Sequence, residues 1–315
     1  MPSSTVRTFT DPDEYAAAIR GGTIELTIAR RGDFNAKLTG INFERLWMQR
    51  FSDDLPRIAQ VTNATAGRTY ITFRTRPGPS LLWDGLEVLQ SAILQFGANE
   101  YYQRSSGSAS FGAMSLPIED IASLGEAIAE VDLTTPRDPV SITPPRGTMG
   151  RLQRLHAAAA DLAENAPDII ANPDAARGLE QTVIEAMVAC LGHRDDRENS
   201  LARGQHALVM RRFRRVVEEN PEQPLYIPDI CKAIRVSERT LRTCCQEHLG
   251  MAPKRYLLLR RMHLVRRALR EAASKPTSVT DIATRYGFWQ LGRFAVEYQA
   301  LFGEPPSATL RNQSA

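Results

Sequence analysis

The chain has 315 residues, 43% of them hydrophobic and 24% charged, with a net charge of +3. That length predicts two domains, and that composition a soluble globular protein. No apolar run approaches the ~20 residues of a bilayer span. Met1 to Thr10 lacks the apolar core of an export signal, so a cytoplasmic protein with no membrane partner is expected.

Four cysteines (Cys190, Cys231, Cys244, Cys245) form neither a CxxC pair nor a framework spacing, so they read as reduced thiols, and no zinc site is expected. Charge is unevenly spread. Residues 201–315 hold 20 Lys/Arg against 10 Asp/Glu, whereas residues 1–200 carry a net −7. An acidic body joined to a basic last third points to nucleic acid, because clustered cations displace counterions from phosphates. A merely solvated basic face explains the charge equally well.

In chain order, residues 20–116 read mainly as β. Thr23–Ile28, Arg68–Phe73 and Ser108–Met114 alternate at period two, with glycines and the Pro77-Gly78-Pro79 turn between such segments. This predicts an antiparallel barrel or sandwich. Pro117 to Val131 then reads as a helix with Ile118, Ile121, Leu124 and Ile128 on one stripe. Thr134 to Gly147, with four prolines, reads as an irregular connector. Two further helices follow. One carries Met149, Leu152, Leu155, Ala159 and Leu162, and the other runs from about Asp174 with Leu179, Val183, Met187 and Leu191. They predict either a homodimer interface over residues 149–191 or packing on the barrel. Gly192 to Asn199 is polar and suits an inter-domain linker.

From Leu201 every segment reads as helical. Leu225–Ile234, then Arg235-Val236-Ser237, then Glu238–Gln246 give two short helices joined by a tight turn, a helix-turn-helix. Pro228 falls in the first turn, where a missing N–H costs little, and Ser237 is a good N-cap. In the second helix Leu241, Cys245 and Leu249 face inward, leaving Arg239, Arg242, Thr243 and Gln246 outward, with Ser237 and Thr240 at its start. Arg and Gln can read guanine and adenine edges bidentately in the major groove.

The pattern recurs. Ser278–Phe288 is a capped short helix and glycine turn, leading into Trp289–Tyr298, where Phe294, Tyr298 and Leu301 face inward. Between the units runs a helix over 253–272, roughly 30 Å long. Such a strut would hold two recognition helices near the ~34 Å repeat of B-DNA.

The ordered positions Leu249-Gly250, Pro253, Tyr256, Gly287-Phe288, Phe302-Gly303 and Pro305-Pro306-Ser307 resemble the DNA-binding domain of AraC/XylS regulators over about residues 205–312. The stretch GFWQLGRFAVEYQALFGEPPSATL is similar to the XylS-type and ethanolamine-regulator branch. The resemblance implies a C-terminal all-α domain with tandem helix-turn-helix units, preceded by a cupin-like antiparallel β-barrel and dimerising helices. It divides the chain into 1–131, a sensor barrel; 132–200, connector and dimer helices; and 201–315, the DNA-binding domain. It places Arg239, Arg242 and Thr243 on the groove-facing stripe of the first recognition helix, and Gln290, Leu291, Gly292 and Arg293 at the start of the second. Thr243 stands where relatives often have arginine, and Val296 where some are polar, so the first helix is expected to carry most base discrimination, with Arg293 on phosphates. The function implied is a transcription regulator, an activator by the family's habit, meeting double-stranded DNA and RNA polymerase at the nucleoid under a small-molecule effector.

The amino-terminal domain offers less. None of the five histidines lies in residues 1–150, so a metal-dependent cupin enzyme is not expected, and neither a nucleophile motif nor a phosphate loop is present. No cofactor is expected. Candidate effector-binding residues are Arg30, Arg31, Asn35, Arg45, Trp47 and Arg50. The stretch Arg30–Gly40 resembles the PilZ-type cyclic-di-GMP signature, with Lys37 in place of its serine, while the arginines equally suit solvated strand ends. The arginines suit cyclic-di-GMP or another acid, and Phe43, Trp47, Phe51, Tyr70 and Trp83 would line either the core or a pocket for an aromatic acid; a small amine is the third effector class considered. The rival reading of the whole chain is a ligand-binding or enzymatic cupin-like barrel with a helical protein-interaction tail.

Overall fold

The computed structural model describes residues 1–98, 100–129, 131–136, 139–193, 204–272 and 277–311. The amino-terminal part is antiparallel β. Seven strands form one sheet: β1 (Ser3–Phe9), β3 (Ala36–Asn42), β4 (Trp47–Asp53), β11 (Ala109–Pro117), β6 (Arg68–Arg74), β9 (Ile93–Phe96) and β12 (Val140–Ile142), in that spatial order. Five form a second, ordered β2 (Thr23–Ile28), β5 (Arg57–Thr62), β10 (Tyr101–Ser105), β7 (Leu81–Trp83) and β8 (Leu86–Glu87). The sheets face each other across an apolar layer that includes Phe9, Leu26, Phe51, Trp83, Phe96 and Phe111. No strand pairing joins them among the described residues, so the expected barrel is an open one. Helix α1 (Pro12–Ala18), capped by the Asp11 carboxylate, tucks Tyr15 into the same layer.

Two expectations need correcting. The connector over 134–147 contains β12, which pairs with β9 at the sheet's outer edge. Pro139 and Pro144 bracket this strand without entering it, as an edge position allows. The helix over 117–131 is shorter than its stripe suggests: α2 (Ile118–Leu124) widens at Gly125 into one π turn over Gly125–Ala129. The wider turn swings Ile128 outward, and Ile118 also faces solvent, leaving Ile121 fully buried.

The outer face of the seven-stranded sheet is covered by α3 (Arg146–Asn165) and α5 (Pro173–Leu191), with the short α4 (Pro167–Ala171) between them. Met149, Leu152, Val183, Met187 and Leu191 are buried against Ile41, Met48, Ile71 and Phe73 of the strands. The apolar stripes that suggested a dimer are thus spent within the chain, and the outward positions include Arg151, Arg154, Asp161, Arg177 and Gln181. Glu164 of α3 ties the layers: Lys37, Thr39 and Arg50 converge on it. Burial opposes its charge, but these donors hold its carboxyl down at about 2.

The remaining helices are α6 (Gly204–Glu219), α7 (Ile227–Ile234), α8 (Glu238–Leu249), α9 (Pro253–Glu271), α10 (Val279–Arg285), α11 (Leu291–Phe302) and α12 (Pro306–Arg311). Most of the predicted linker, residues 194–199, lies outside the described residues. One cluster packs α6, α7, α8 and the start of α9, and a second packs the end of α9 with α10, α11 and α12. The first cluster also includes Ile58 and Tyr102 from the five-stranded sheet, so the two parts of the chain share a core.

Candidate functional site

Local chemistry builds each helix-turn-helix. In the first, α7 ends at Arg235, whose backbone is left-handed (φ 58°), and Val236 N–H bonds the Cys231 carbonyl to close the turn. Ser237 then caps α8 by accepting the Thr240 N–H at 3.1 Å. Leu241, Cys244, Cys245, His248 and Leu249 are buried, which turns Arg239, Arg242, Thr243 and Gln246 to solvent. Ser237 is exposed and Thr240 half-buried. Neither guanidinium of this stripe is held in an ion pair among the described residues. The Thr243 hydroxyl donates to the Arg239 carbonyl at 3.1 Å, which occupies it within its own helix.

In the second unit Ser278 and Asp281 form a reciprocal capping box, each side chain accepting the other's backbone N–H. Gly287 supplies the left-handed turn (φ 77°), where a Cβ would stand 2.8 Å from Pro224. Helix α11 buries Phe294 and Tyr298 and exposes Gln290, Gly292 and Arg293. Leu291 is half-buried in the apolar cluster, so it packs more than it reads. Arg293 pairs with Glu297 at 2.8 Å. Two further residues of this unit are exposed: Trp289, which was not among the predicted contacts, and Val296, whose position the resemblance makes groove-facing. Their signal was present, since a large apolar side chain on the outward stripe of a recognition helix can meet thymine methyl groups. Helix α9, 19 residues and about 28 Å long, separates the two units.

The amino-terminal domain holds α9 along much of its length. Arg260 meets Glu25 at 2.7 Å, Tyr256 donates to Gln60 at 3.1 Å, and the Ile28 N–H donates to His263 Nε2 at 3.0 Å. Further along, Arg266 and Arg270 pair with Asp11, and Arg267 with Asp13, both carboxylates belonging to the start of α1. Burial holds His263 to about 4, a neutral ring.

Between the sheets lies a cavity of about 70 Å³, several times the space one water needs. Tyr15, Trp47, Phe51, Tyr70, Trp83 and Tyr101 are among its walls, with Arg20 at its edge. The Tyr15 hydroxyl and the Trp83 indole N–H are buried there without hydrogen-bond partners among the described residues. Arg57 is fully buried, but Asp53 neutralises it at 2.9 Å and Gln103 accepts a further N–H at 2.8 Å.

Of the six predicted effector residues, only Trp47 lines this cavity. Arg50 points to the other face of β4, where Asp161 and Glu164 bind it. Strand alternation makes this unavoidable, since residues three apart face opposite ways. Asn35 bonds Asp54, and the Arg45 N–H donates to Glu180. Arg30 and Arg31 lie outside the sheets, near α9 and α11. Sequence reasoning missed Arg20 and counted Arg68 only among the strand-end arginines; both guanidiniums stack on the Trp47 ring, at 3.4 and 3.6 Å.

The family described as a helix-turn-helix domain matches residues 230–312, which contain α8, α9 and both turns. Over 102 residues the chain is 38% identical to the XylDLEGF operon transcriptional activator of Pseudomonas putida, covering 31% of this chain and 32% of that protein. Over 95 residues it is 40% identical to a probable thc operon regulatory protein of Rhodococcus erythropolis, covering 30% and 29%. A solved structure of a probable AraC family transcriptional regulator from Rhodopseudomonas palustris is 30% identical, covering 33% of this chain and 95% of that one, with a TM-score of 0.30. The chain belongs to the AraC/XylS family.

The chain spans about a third of the length of the curated AraC/XylS relatives it matches first. Along 90% of its length it also aligns with the AraC-like transcriptional activator CuxR, at 15% identity and a TM-score of 0.44. Among the described residues no helix is long and apolar enough to cross a membrane.

Proposed function

We propose that the chain is a sequence-specific DNA-binding transcription regulator that reads two successive major grooves. The observation that carries this reading is Arg239 and Arg242, exposed on a capped helix and in no ion pair among the described residues, joined by a rigid strut to a second helix presenting Gln290 and Arg293. Residues 201–315 act as the reading domain, and residues 1–131 as the sensor. An activator of this kind would meet RNA polymerase beside its operator. One chain already carries two reading heads, and a dimer through residues 149–191 would have to use the polar outer stripes of α3 and α5. Selection from random duplex followed by mobility shifts tests the reading: an enriched sequence bound well above random DNA is expected, and no enrichment overturns it.

The cavity is the effector site of this reading, because its two buried hydrogen-bonding groups lack partners and each such group costs about 1–3 kcal/mol. A flat, mostly apolar molecule with a hydrogen-bond acceptor would relieve that cost, and Arg20 at the edge would accommodate an acid. The walls are mostly apolar and aromatic, so aromatic acids come before cyclic-di-GMP in the panel. A ligand at 100 times its dissociation constant should stabilise the protein by about 2.7 kcal/mol. Trp83→Phe, which removes the N–H, should weaken that shift; an equal shift would place the ligand elsewhere.

A further inference from the structure

Two arginines of the amino-terminal domain stand beside the second recognition helix, and neither the cavity nor an ion pair among the described residues uses them. Arg30 and Arg31 follow β2, are exposed, and line a groove with Arg255 of α9 and Glu297, Ala300 and Leu301 of α11. A Cβ built on Gly303, just past the end of α11, would be 3.6 Å from the Arg31 guanidinium. Glu297 brings the groove's one carboxylate, and it already accepts the Arg293 N–H at 2.8 Å. Asp33, two residues beyond Arg31, does not line the groove. Three guanidiniums therefore share one flank of α11 without an acid of their own.

An α-helix with its side chains is about 10–12 Å across, and the major groove is about 12 Å wide. A helix seated there fills the groove, so cations packed against its flank stand over the bordering phosphates. We propose that Arg30 and Arg31, together with Arg255, grip the phosphate backbone beside the second recognition helix, making the amino-terminal domain part of the DNA-binding surface. The guanidinium fork suits phosphate oxygens, and such contacts position a protein without reading sequence. The apolar floor of Leu258, Leu259 and Met262 fixes where this loop sits relative to α11. The inference rests on the DNA-binding reading above.

The experiment is a salt series on the full chain, with its selected duplex and with random duplex. It compares the unaltered protein with Arg30→Gln/Arg31→Gln and Arg30→Lys/Arg31→Lys. Each phosphate contact contributes about 0.9 to the slope of log K against log salt, so the glutamine pair should flatten it by about 2. Both duplexes should weaken by the same factor, and the lysine pair should keep the original slope. A glutamine variant with an unaltered slope overturns the inference. A loss confined to the selected duplex, or a lysine variant as flat as the glutamine one, also overturns it, since the arginines would then be reading bases or bracing the groove. If the unaltered protein binds no duplex, it is the regulator reading that falls.

Discussion

At the scale of single residues, Arg239 and Arg242 lack a carboxylate partner among the described residues, unlike several arginines of β5, α6 and α9. Arg57, Arg214, Arg260, Arg266, Arg267 and Arg270 all have one. Changing Arg239 or Arg242 to Ala should cost about 1–3 kcal/mol of operator affinity and relax the preference at one base pair, read by competition against mismatched duplexes. Equal losses on every sequence would instead make these residues phosphate contacts. Two other residues set the pH response. Burial holds His156 and His263 to about 4, below the ordinary 6.5, so the folded chain refuses protons that the unfolded chain accepts. Stability is then complete above about pH 6.5 and falls on acidification toward pH 4, by about 2 kcal/mol per histidine at pH 5. Urea midpoints at pH 7.5 and 5 measure the drop, and His263→Gln should shrink it; identical midpoints would refute the assignment. The outward stripes of α8 and α11 were legible because caps and outward positions are set within a dozen residues of chain. The buried Arg57 was not, because its partners Asp53 and Gln103 depend on strand pairing that no local pattern announces.

At the scale of elements, α1 matters beyond its seven residues. Its cap and first turn carry Asp11 and Asp13, which hold α9, while Tyr15 from its buried side lines the cavity. Asp11→Asn/Asp13→Asn should loosen α9 from the sheet. Removing partners from buried ion pairs costs about 3–5 kcal/mol, and less where side chains are partly exposed as here. Faster hydrogen exchange in α9, with exchange in α3 unchanged, is the expected outcome; unaltered protection would show that Tyr256, Arg260 and His263 suffice to hold the strut. Period-two alternation revealed β2, β6 and β11 in the sequence. It failed for β5, whose residues from Arg57 to Val61 are all buried, because this strand is covered on one side by the cavity layer and on the other by helices. The same alternation, applied along β4, puts Trp47 and Arg50 on opposite faces, so one strand could never have offered both to a single ligand.

At the scale of the whole molecule, the length of α9 sets a spacing. In the proposed reading, two helix-turn-helix units joined by one strut about 28 Å long meet half-sites one helical turn apart, 10 to 10.5 base pairs between centres. Inserting five base pairs between the halves of a selected operator should turn them to opposite faces and reduce affinity to that of one unit, visible as loss of one of two footprints. Two intact footprints after insertion would mean that α9 does not fix the distance. The cluster that joins Ile58 and Tyr102 to Phe213, Leu241 and Tyr256 has a different kind of consequence. It sets a limit on modularity. Grafting the two-sheet domain onto a foreign helix-turn-helix domain leaves Ile58 and Tyr102 facing a surface that was never shaped for them. A working chimera therefore inherits the seam as well as the domains, and its junction is defined by side chains on β5 and β10 rather than by any point along the connecting peptide.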